Sequence, residues 1–313
     1  MARSVLSPEF SRNYGFWSEA EQSALLSSRV AIGGVGGDGF QLGLKLARMG
    51  VSAFSVADPE VFEAENVNRV AGATTASVGR RKVDVFREKV LDINPDADVQ
   101  LWAEGVAASN VVEFMRDADL VFDESELTRP EIGTMIARQA RAQGIPDVLV
   151  MNVGFAAQVM SFAPTSAWTF ERFMGLSDEA DLDQIAQQGI DLSRCLPYIP
   201  PYVDLRTLVT LQEDTSGEVS LPSISIGVDI ASAIGSAQAF LHLTRGVSSR
   251  RPQPVWAPRM AYIDAYSLSA RVIRANKSTH LRHLGIAALR QKLGRNPLAS
   301  YTPAEMAARR DRT

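Results

Sequence analysis

The stretch Gly34-Val35-Gly36-Gly37-Asp38-Gly39 limits what this chain can fold into more than any other. It lies between a short β-branched run, Arg29-Val30-Ala31-Ile32, and a segment of helical spacing, Phe40 to Met49. A strand that turns through glycines into a helix opens a βαβ unit, and such units build parallel sheets through right-handed crossovers. At Gly36 the missing Cβ lets a phosphate or ribose approach the backbone, and the N–H groups at the helix start favour an anion. A glycine-rich turn also serves tight strand-to-helix packing with no ligand at all, so the pattern needs support from the residues that follow.

The alternation continues. Ala53 to Ala57, Val99 to Trp102, Leu120 to Phe122 and Val148 to Met151 read as strands. Arg81 to Leu91, Val111 to Met115 and Glu131 to Ala142 read as the helices between them, and Ser18-Glu19-Ala20-Glu21 is a capping-box start for a short helix before the first strand. The expected fold is α/β: Rossmann-like and doubly wound, with a mainly parallel sheet. After Met151 the rhythm changes. Ala156 to Phe162 reads as one more strand, and Pro164 to Pro222 then forms an irregular crossover. Within it, Leu196-Pro197-Tyr198-Ile199-Pro200-Pro201-Tyr202 suits neither a helix nor a central strand, and reads as a surface excursion or a loop covering a site. Ile224 to Leu243 reads as a buried helix, Met260 to Ile263 as a strand and Leu281 to Leu293 as a helix, with a frayed tail ending at Thr313.

Composition excludes several function classes. A net charge of -4 supplies no basic field for a phosphate backbone, so nucleic acid is not an expected partner. Cys195 is the one cysteine, which rules out an internal disulfide and a zinc site built on cysteine pairs. Asp229 and several serines and glycines interrupt the apolar Ile224 to Leu243 stretch, so no membrane span is expected. Met1 to Phe10 has no apolar run behind basic residues, and a reducing, cytoplasmic setting is the expectation.

Asp58 closes the second strand, where a carboxylate accepts hydrogen bonds from ribose hydroxyls. That suits NAD and ATP alike. Arg69 and Lys82 separate them, because a triphosphate needs positive charge at its outer phosphates and in the transition state, whereas NAD needs none there. Taken singly, each is equally an ordinary solvated cation.

The ordered set resembles the ThiF/MoeB/HesA-type adenylyltransferases of the ubiquitin-activating enzyme superfamily. It runs through Arg12-Asn13, then Gly34, Gly36, Gly37 and Gly39, Asp58 with Glu60, Asn66, Arg69, Gly79, Lys82 and Asp123-Glu124-Ser125-Glu126. The resemblance implies that Asp58 holds the ribose, that Asn66, Arg69 and Lys82 line the phosphates, and that Arg12 reaches ATP in the partner subunit of a homodimer. Glu126 stands where the family places an aspartate near magnesium, Leu127 where an asparagine is common, and Gln238 where a later helix often carries glutamate. It further implies an adenylation domain over 1–275, with a nucleotide-binding half of about 28–152 and a substrate and dimer half of about 153–275, then a C-terminal helical extension over 276–313.

The implied reaction uses ATP and Mg2+. A carboxylate attacks the α-phosphate, pyrophosphate leaves, and a poor electrophile becomes an acyl-adenylate, chemistry that rests on positioning and electrostatics. The acid belongs to a metabolite, a peptide or a ubiquitin-like carrier. Missing zinc cysteines tilt the expectation toward a metabolite or peptide. In some relatives a crossover cysteine takes the acyl group, but Cys195 beside Arg194 reads more plainly as inert. His242, His280 and His283 form no convincing site. Two readings stand against adenylylation: an NAD-dependent oxidoreductase, resting on the glycines and Asp58 alone, and a catalytically silent scaffold subunit, for which Glu126 and Leu127 speak.

Overall fold

The computed structural model describes residues 3–126, 128–188, 191, 194, 196–206, 208 and 222–295. Eight strands form one sheet: β1 (Arg29–Gly33), β2 (Ala53–Ala57), β3 (Asp98–Trp102), β4 (Leu120–Asp123), β5 (Asp147–Val153), β6 (Ala156–Phe162), β7 (Arg259–Asp264) and β8 (Ser269–Arg274). Their order is β3-β2-β1-β4-β5-β6-β7-β8. The ladders from β3 to β5 are parallel, and those from β5 to β8 are antiparallel. Because β1 pairs with β2 on one side and β4 on the other, the strand order reverses there, which opens a crevice at the carboxyl ends of β1 and β4.

Helices cover both faces. α1 (Glu19–Ser27) starts with the expected capping box, the Ser18 hydroxyl accepting from the Glu21 N–H and the Glu21 carboxylate from the Ser18 N–H. α2 (Gly37–Met49), α3 (Lys82–Ile93) and the long α8 (Ser225–Leu243) pack on one face over a core that includes Phe40, Phe54 and Phe86. α4 (Val111–Phe114) and α5 (Pro130–Gln143) cover the other, around Phe114, Met115 and Ile136. α8 is long and apolar enough to cross a membrane by length and composition. Its Val228, Ala231 and Ala239 are buried, and it packs on α2, β5 and β6 as the central helix of that core.

The crossover departs from expectation. Among its described residues are two short helices, α6 (Phe170–Met174) and α7 (Leu182–Gln188), that the sequence did not announce. Its proline-rich piece is neither a surface excursion nor a free cover, since residues from Leu196 to Pro200 and Tyr202 are buried. The buried Gln158 side chain bonds both the N–H and the C=O of Tyr198, replacing the sheet partners that prolines on either side deny it. Tyr198 stacks on Tyr262 at 4.0 Å and donates to Asp264 at 2.7 Å, and the Leu196 carbonyl meets His280 Nδ1 at 2.7 Å. β8 was also unannounced, and α9 (Lys277–Lys292) begins earlier than expected because the Asn276 side chain caps it through the Thr279 N–H. Cys195, Leu127 and the tail from 296 to 313 lie outside the described residues.

Candidate active site

The four glycines of the turn do different work. Gly34 has φ +120°, and a Cβ there would overlap the Glu124 carbonyl, while one on Gly39 would overlap the Gly34 carbonyl. A Cβ on Gly37 would meet Val228 of α8 at 2.9 Å. These three positions answer to packing. A Cβ on Gly36 would meet nothing within 4 Å, so its backbone faces open space at the start of α2. Phe40 is the residue whose N–H reaches back to the Gly36 carbonyl, which leaves the preceding N–H groups of the first turn without partners inside the helix. Both readings of the motif are therefore present, and Gly36 is the position that suits a ligand.

Asp58 fastens the turn to the loop after β2. Its two carboxylate oxygens accept from the Val35 and Glu60 N–H groups, both at 2.9 Å. Burial pushes its carboxyl up, and the nearby Lys82 ammonium pulls it back. The loop then pairs with the segment before α3: Phe62 N bonds the Arg80 carbonyl, Gly79 N bonds the Phe62 carbonyl, and Lys82 N bonds the Glu60 carbonyl. Gly79 makes this return at φ +85°. The pairing delivers Lys82, buried at the N-terminus of α3, to an ion pair with the exposed Glu60.

Arg69 comes from a short 3-10 turn, Ala64–Asn68. Asn66 is buried, and its Oδ1 accepts from the Glu63 N–H, closing a capping box that shapes the turn. Asn66 Oδ1 thus builds the support for Arg69. The Arg69 side chain runs along the glycine turn, its Cγ 3.9 Å from where a Gly37 Cβ would sit, and its guanidinium donates to the Glu65 carbonyl and Asn68 Oδ1. Glu126 follows β4 with its outer edge in solvent. Its carboxyl is raised, first by the surrounding protein and then by Glu60, while Lys82 and Arg69 draw it down. Asp58, Glu60, Arg69, Lys82 and Glu126 therefore share one electrostatic neighbourhood beside Gly36, as the sequence order suggested.

Arg12 lies elsewhere. Its neighbours are tied to the other end of α2: the Phe10 ring lies under Gly50, and Asn13 donates to Gln22, which donates to the Met49 carbonyl. α2 has 13 residues, so roughly 20 Å separates that end from the glycine turn. Gln238, on α8, accepts from the Val255 N–H and serves the fold. Half-buried His242 meets the Ser161 hydroxyl and has its pKa pushed down to about 4 by desolvation, His280 is bonded to the Leu196 carbonyl, and His283 sits edge-on against Tyr198.

Three polar residues behind the turn escaped notice as site residues. Asp38, in the first turn of α2, is buried, accepts from Asn152 Nδ2 at 2.9 Å through one oxygen, and has no partner for the other. Burial pushes its carboxyl up to about 7. Glu124 packs against Gly34 and Gly39 with one buried oxygen unpartnered, and its carboxyl is raised by burial and then by Asp38 and Asp123. Asn152 ends β5 and accepts from the Ser223 hydroxyl at 2.8 Å. An aspartate among the glycines was the available signal; Asn152, 114 residues away, gave none.

Comparison with known proteins agrees with this arrangement. The model of the ThiF family matches residues 10–282. The sulfur carrier protein ThiS adenylyltransferase of Escherichia coli K12 is 30% identical over 145 residues, 46% of this chain and 56% of that protein. The tRNA threonylcarbamoyladenosine dehydratase of Bacillus subtilis 168 is 37% identical over 91 residues, 29% of this chain and 36% of that protein. The matches thus span between about a third and just over half of these curated relatives. Among solved structures, E. coli MccB with ATP superposes with a TM-score of 0.62 at 15% identity, covering 87% of this chain and 73% of that one. PaaA gives 0.62 at 17%, covering 88% and 76%. At such identities the likeness is one of fold. Since the family match takes in the glycine turn, the cationic neighbourhood and the antiparallel half together, the chain belongs to the ThiF family.

Proposed function

We propose that this protein uses ATP to adenylylate a carboxylate, releasing pyrophosphate. The observation that carries the reading is the convergence of Arg69 and Lys82 on the glycine turn, one along Gly37 and the other beside Asp58. Gly36 and the first turn of α2 receive a phosphate, Asp58 keeps acceptor capacity for a ribose hydroxyl, and the two cations take the charge that passes to the leaving pyrophosphate. Lys82 is bonded to Glu60, and its ammonium has three donors, so it can serve a phosphate and the carboxylate together.

Magnesium fits as a companion of the phosphates. Among the described residues no trio of acidic, histidine or cysteine side chains is set to cage an ion. Mg2+ bound with phosphates needs only one or two carboxylates, and Glu126 with Glu60 supplies them. The ion would add positive charge at the departing phosphates.

The acid belongs to a peptide, a carrier-protein C-terminus or a metabolite. The relatives' names point to a sulfur carrier protein and to a modified tRNA base, and several MccB crystals hold the peptide MccA. A second copy of this chain completes the site, because Arg12 is stranded at the far end of α2 in its own protomer. The open face of β7 and β8, with Ile263 37% and Val272 55% exposed, is surface for that copy to cover. The direct test is mass spectrometry after mixing protein, Mg-ATP and candidate acids or carrier proteins. An adenylylated acid is expected; ATP consumption with no adenylylated species from any acid would oppose the reading. Mixing Arg12→Ala with Arg69→Ala protomers should restore activity that each lacks alone, and no recovery would place Arg12 outside the reaction.

A further inference from the structure

The long crossover leaves the antiparallel half and returns to α8 through Ser223, two residues before that helix begins. Ser223 makes two bonds in opposite directions. Its hydroxyl donates to Asn152 Oδ1 at 2.8 Å, and its carbonyl accepts from Asn68 Nδ2 at 3.0 Å. Each partner passes the connection onward. Asn152 donates through Nδ2 to Asp38 Oδ2 in the first turn of α2, and Asn68 accepts through Oδ1 from the Arg69 guanidinium at 2.9 Å. Five residues from four separate parts of the chain thus form one line, Asp38–Asn152–Ser223–Asn68–Arg69, in which the Ser223 hydroxyl carries the arm to Asn152 and its backbone carbonyl the arm to Asn68.

We infer that Ser223 is a positioning residue for the nucleotide site, setting the Arg69 guanidinium through Asn68 and the start of α2 through Asn152. This rests on the reading of Arg69 as a cation for the outer phosphates of ATP. The physical argument is one of orientation. An amide side chain has an accepting end and a donating end, and it holds one sense only while both ends are engaged correctly. Asn152 receives at Oδ1 from Ser223 and gives at Nδ2 to Asp38, so the serine hydroxyl fixes which end faces the glycine turn. Asn68 is exposed and would otherwise sample several rotamers; its bond to the Ser223 carbonyl holds Oδ1 toward Arg69. Arg69 is long, and its own bonds to Glu65 and Asn68 are what hold the fork beside Gly37. Displacement of the crossover exit would therefore reach the phosphate cation without any contact between ligand and crossover. The coupling is physical in the required sense: a contiguous set of hydrogen bonds ending on the groups that meet the nucleotide.

The test compares ATP with AMP, which lacks the outer phosphates, by calorimetric titration of the full-length protein. Wild type should bind ATP more tightly than AMP. Asn68→Ala, which frees the Arg69 arm, should weaken ATP about fivefold, the worth of one net hydrogen bond, and change AMP less than twofold. Ser223→Ala, which removes the hydroxyl arm to the start of α2 and keeps the carbonyl, should weaken ATP and AMP alike, and Ser223→Thr, which keeps the hydroxyl, should restore both. Combining Asn68→Ala with Ser223→Ala should add the two losses in ATP affinity, since each breaks a different arm. Equal weakening of ATP and AMP by Asn68→Ala, or no change in either ligand with Ser223→Ala, would overturn the inference while leaving the adenylylation reading intact. A wild-type protein that binds AMP and ATP equally would instead remove the reading of Arg69 on which the inference stands. Melting curves for each variant report whether folding is preserved, and Ser223→Thr supplies the comparison should Ser223→Ala fail to fold.

Discussion

The two halves of the sheet treat buried polarity in opposite ways. In the antiparallel half, Gln158 spends both ends of its amide on Tyr198, and Asp264 receives the Tyr198 hydroxyl and the Tyr266 and Ser267 N–H groups. In the parallel half, Asp38 and Glu124 each keep a buried oxygen without a partner, and cations and carboxylates crowd the mouth of the crevice. The matched network fixes an irregular segment that prolines keep out of regular structure. The unmatched groups raise carboxyl pKa values and lower stability, a cost that folds tolerate where a ligand site requires it. One half uses polar groups to hold shape, and the other holds them ready for chemistry.

The sharpest way to break that contrast lies within the glycine turn. Gly34→Ala should cost more than about 4 kcal/mol, because φ +120° and the Glu124 carbonyl both exclude a Cβ. Gly36→Ala should melt near wild type yet lose nucleotide affinity. Denaturant melts with ATP titrations check both, and a Gly36→Ala protein with full affinity would empty the proposed cradle. Next in size, Lys82→Ala and Arg69→Ala should each lower ATP–pyrophosphate exchange about 100-fold to 1000-fold, as measured initial rates, with modest changes in melting. Exchange that survives in both variants would make these cations structural.

In the antiparallel half the expected effects fall on stability alone. Asp264→Ala leaves the Tyr198 hydroxyl and two N–H groups unpaired and should cost about 3 kcal/mol in chemical denaturation, with ATP affinity unchanged. A change confined to ATP binding would mean that the two halves are not divided as described.

A further contrast concerns pH. Asp38 titrates at about 7 in the folded protein against an ordinary value of 3.8, so the folded state holds the proton more tightly. Its contribution to stability is therefore lost as pH rises from about 4 through about 7. Asp38→Asn should flatten that part of the stability profile, measured by denaturant melts across the range. An unchanged slope would place the Asp38 carboxyl nearer its ordinary value.

The parallel half was legible because its signals are local. Strand, glycine turn and helix follow one another within about twenty residues, and Asp58, Arg69 and Lys82 reach the site through short loops that close on themselves. The rest depends on distant partners. Nothing near Tyr198 announces Gln158, 40 residues before it, or His280, 84 residues after Leu196. β8 escaped because Arg271 and Arg274 fall on opposite faces of an exposed edge strand and blur the alternation. The motif position of Asn66 does not reveal that its Oδ1 closes the turn that carries Arg69. The same limit applies to Ser223, whose neighbours in sequence say nothing about Asn68 or Asn152.

Adenylylation by this chain requires that Arg69 and Lys82 turn toward the phosphates of a bound ATP. That orientation is tested most directly by thermal melting with Mg-ATP and with NAD, since a ligand that binds the folded state raises the melting temperature. Mg-ATP should raise the melting temperature, by less in Arg69→Ala and Lys82→Ala, and NAD should leave it unchanged. A rise with NAD and none with Mg-ATP would contradict it.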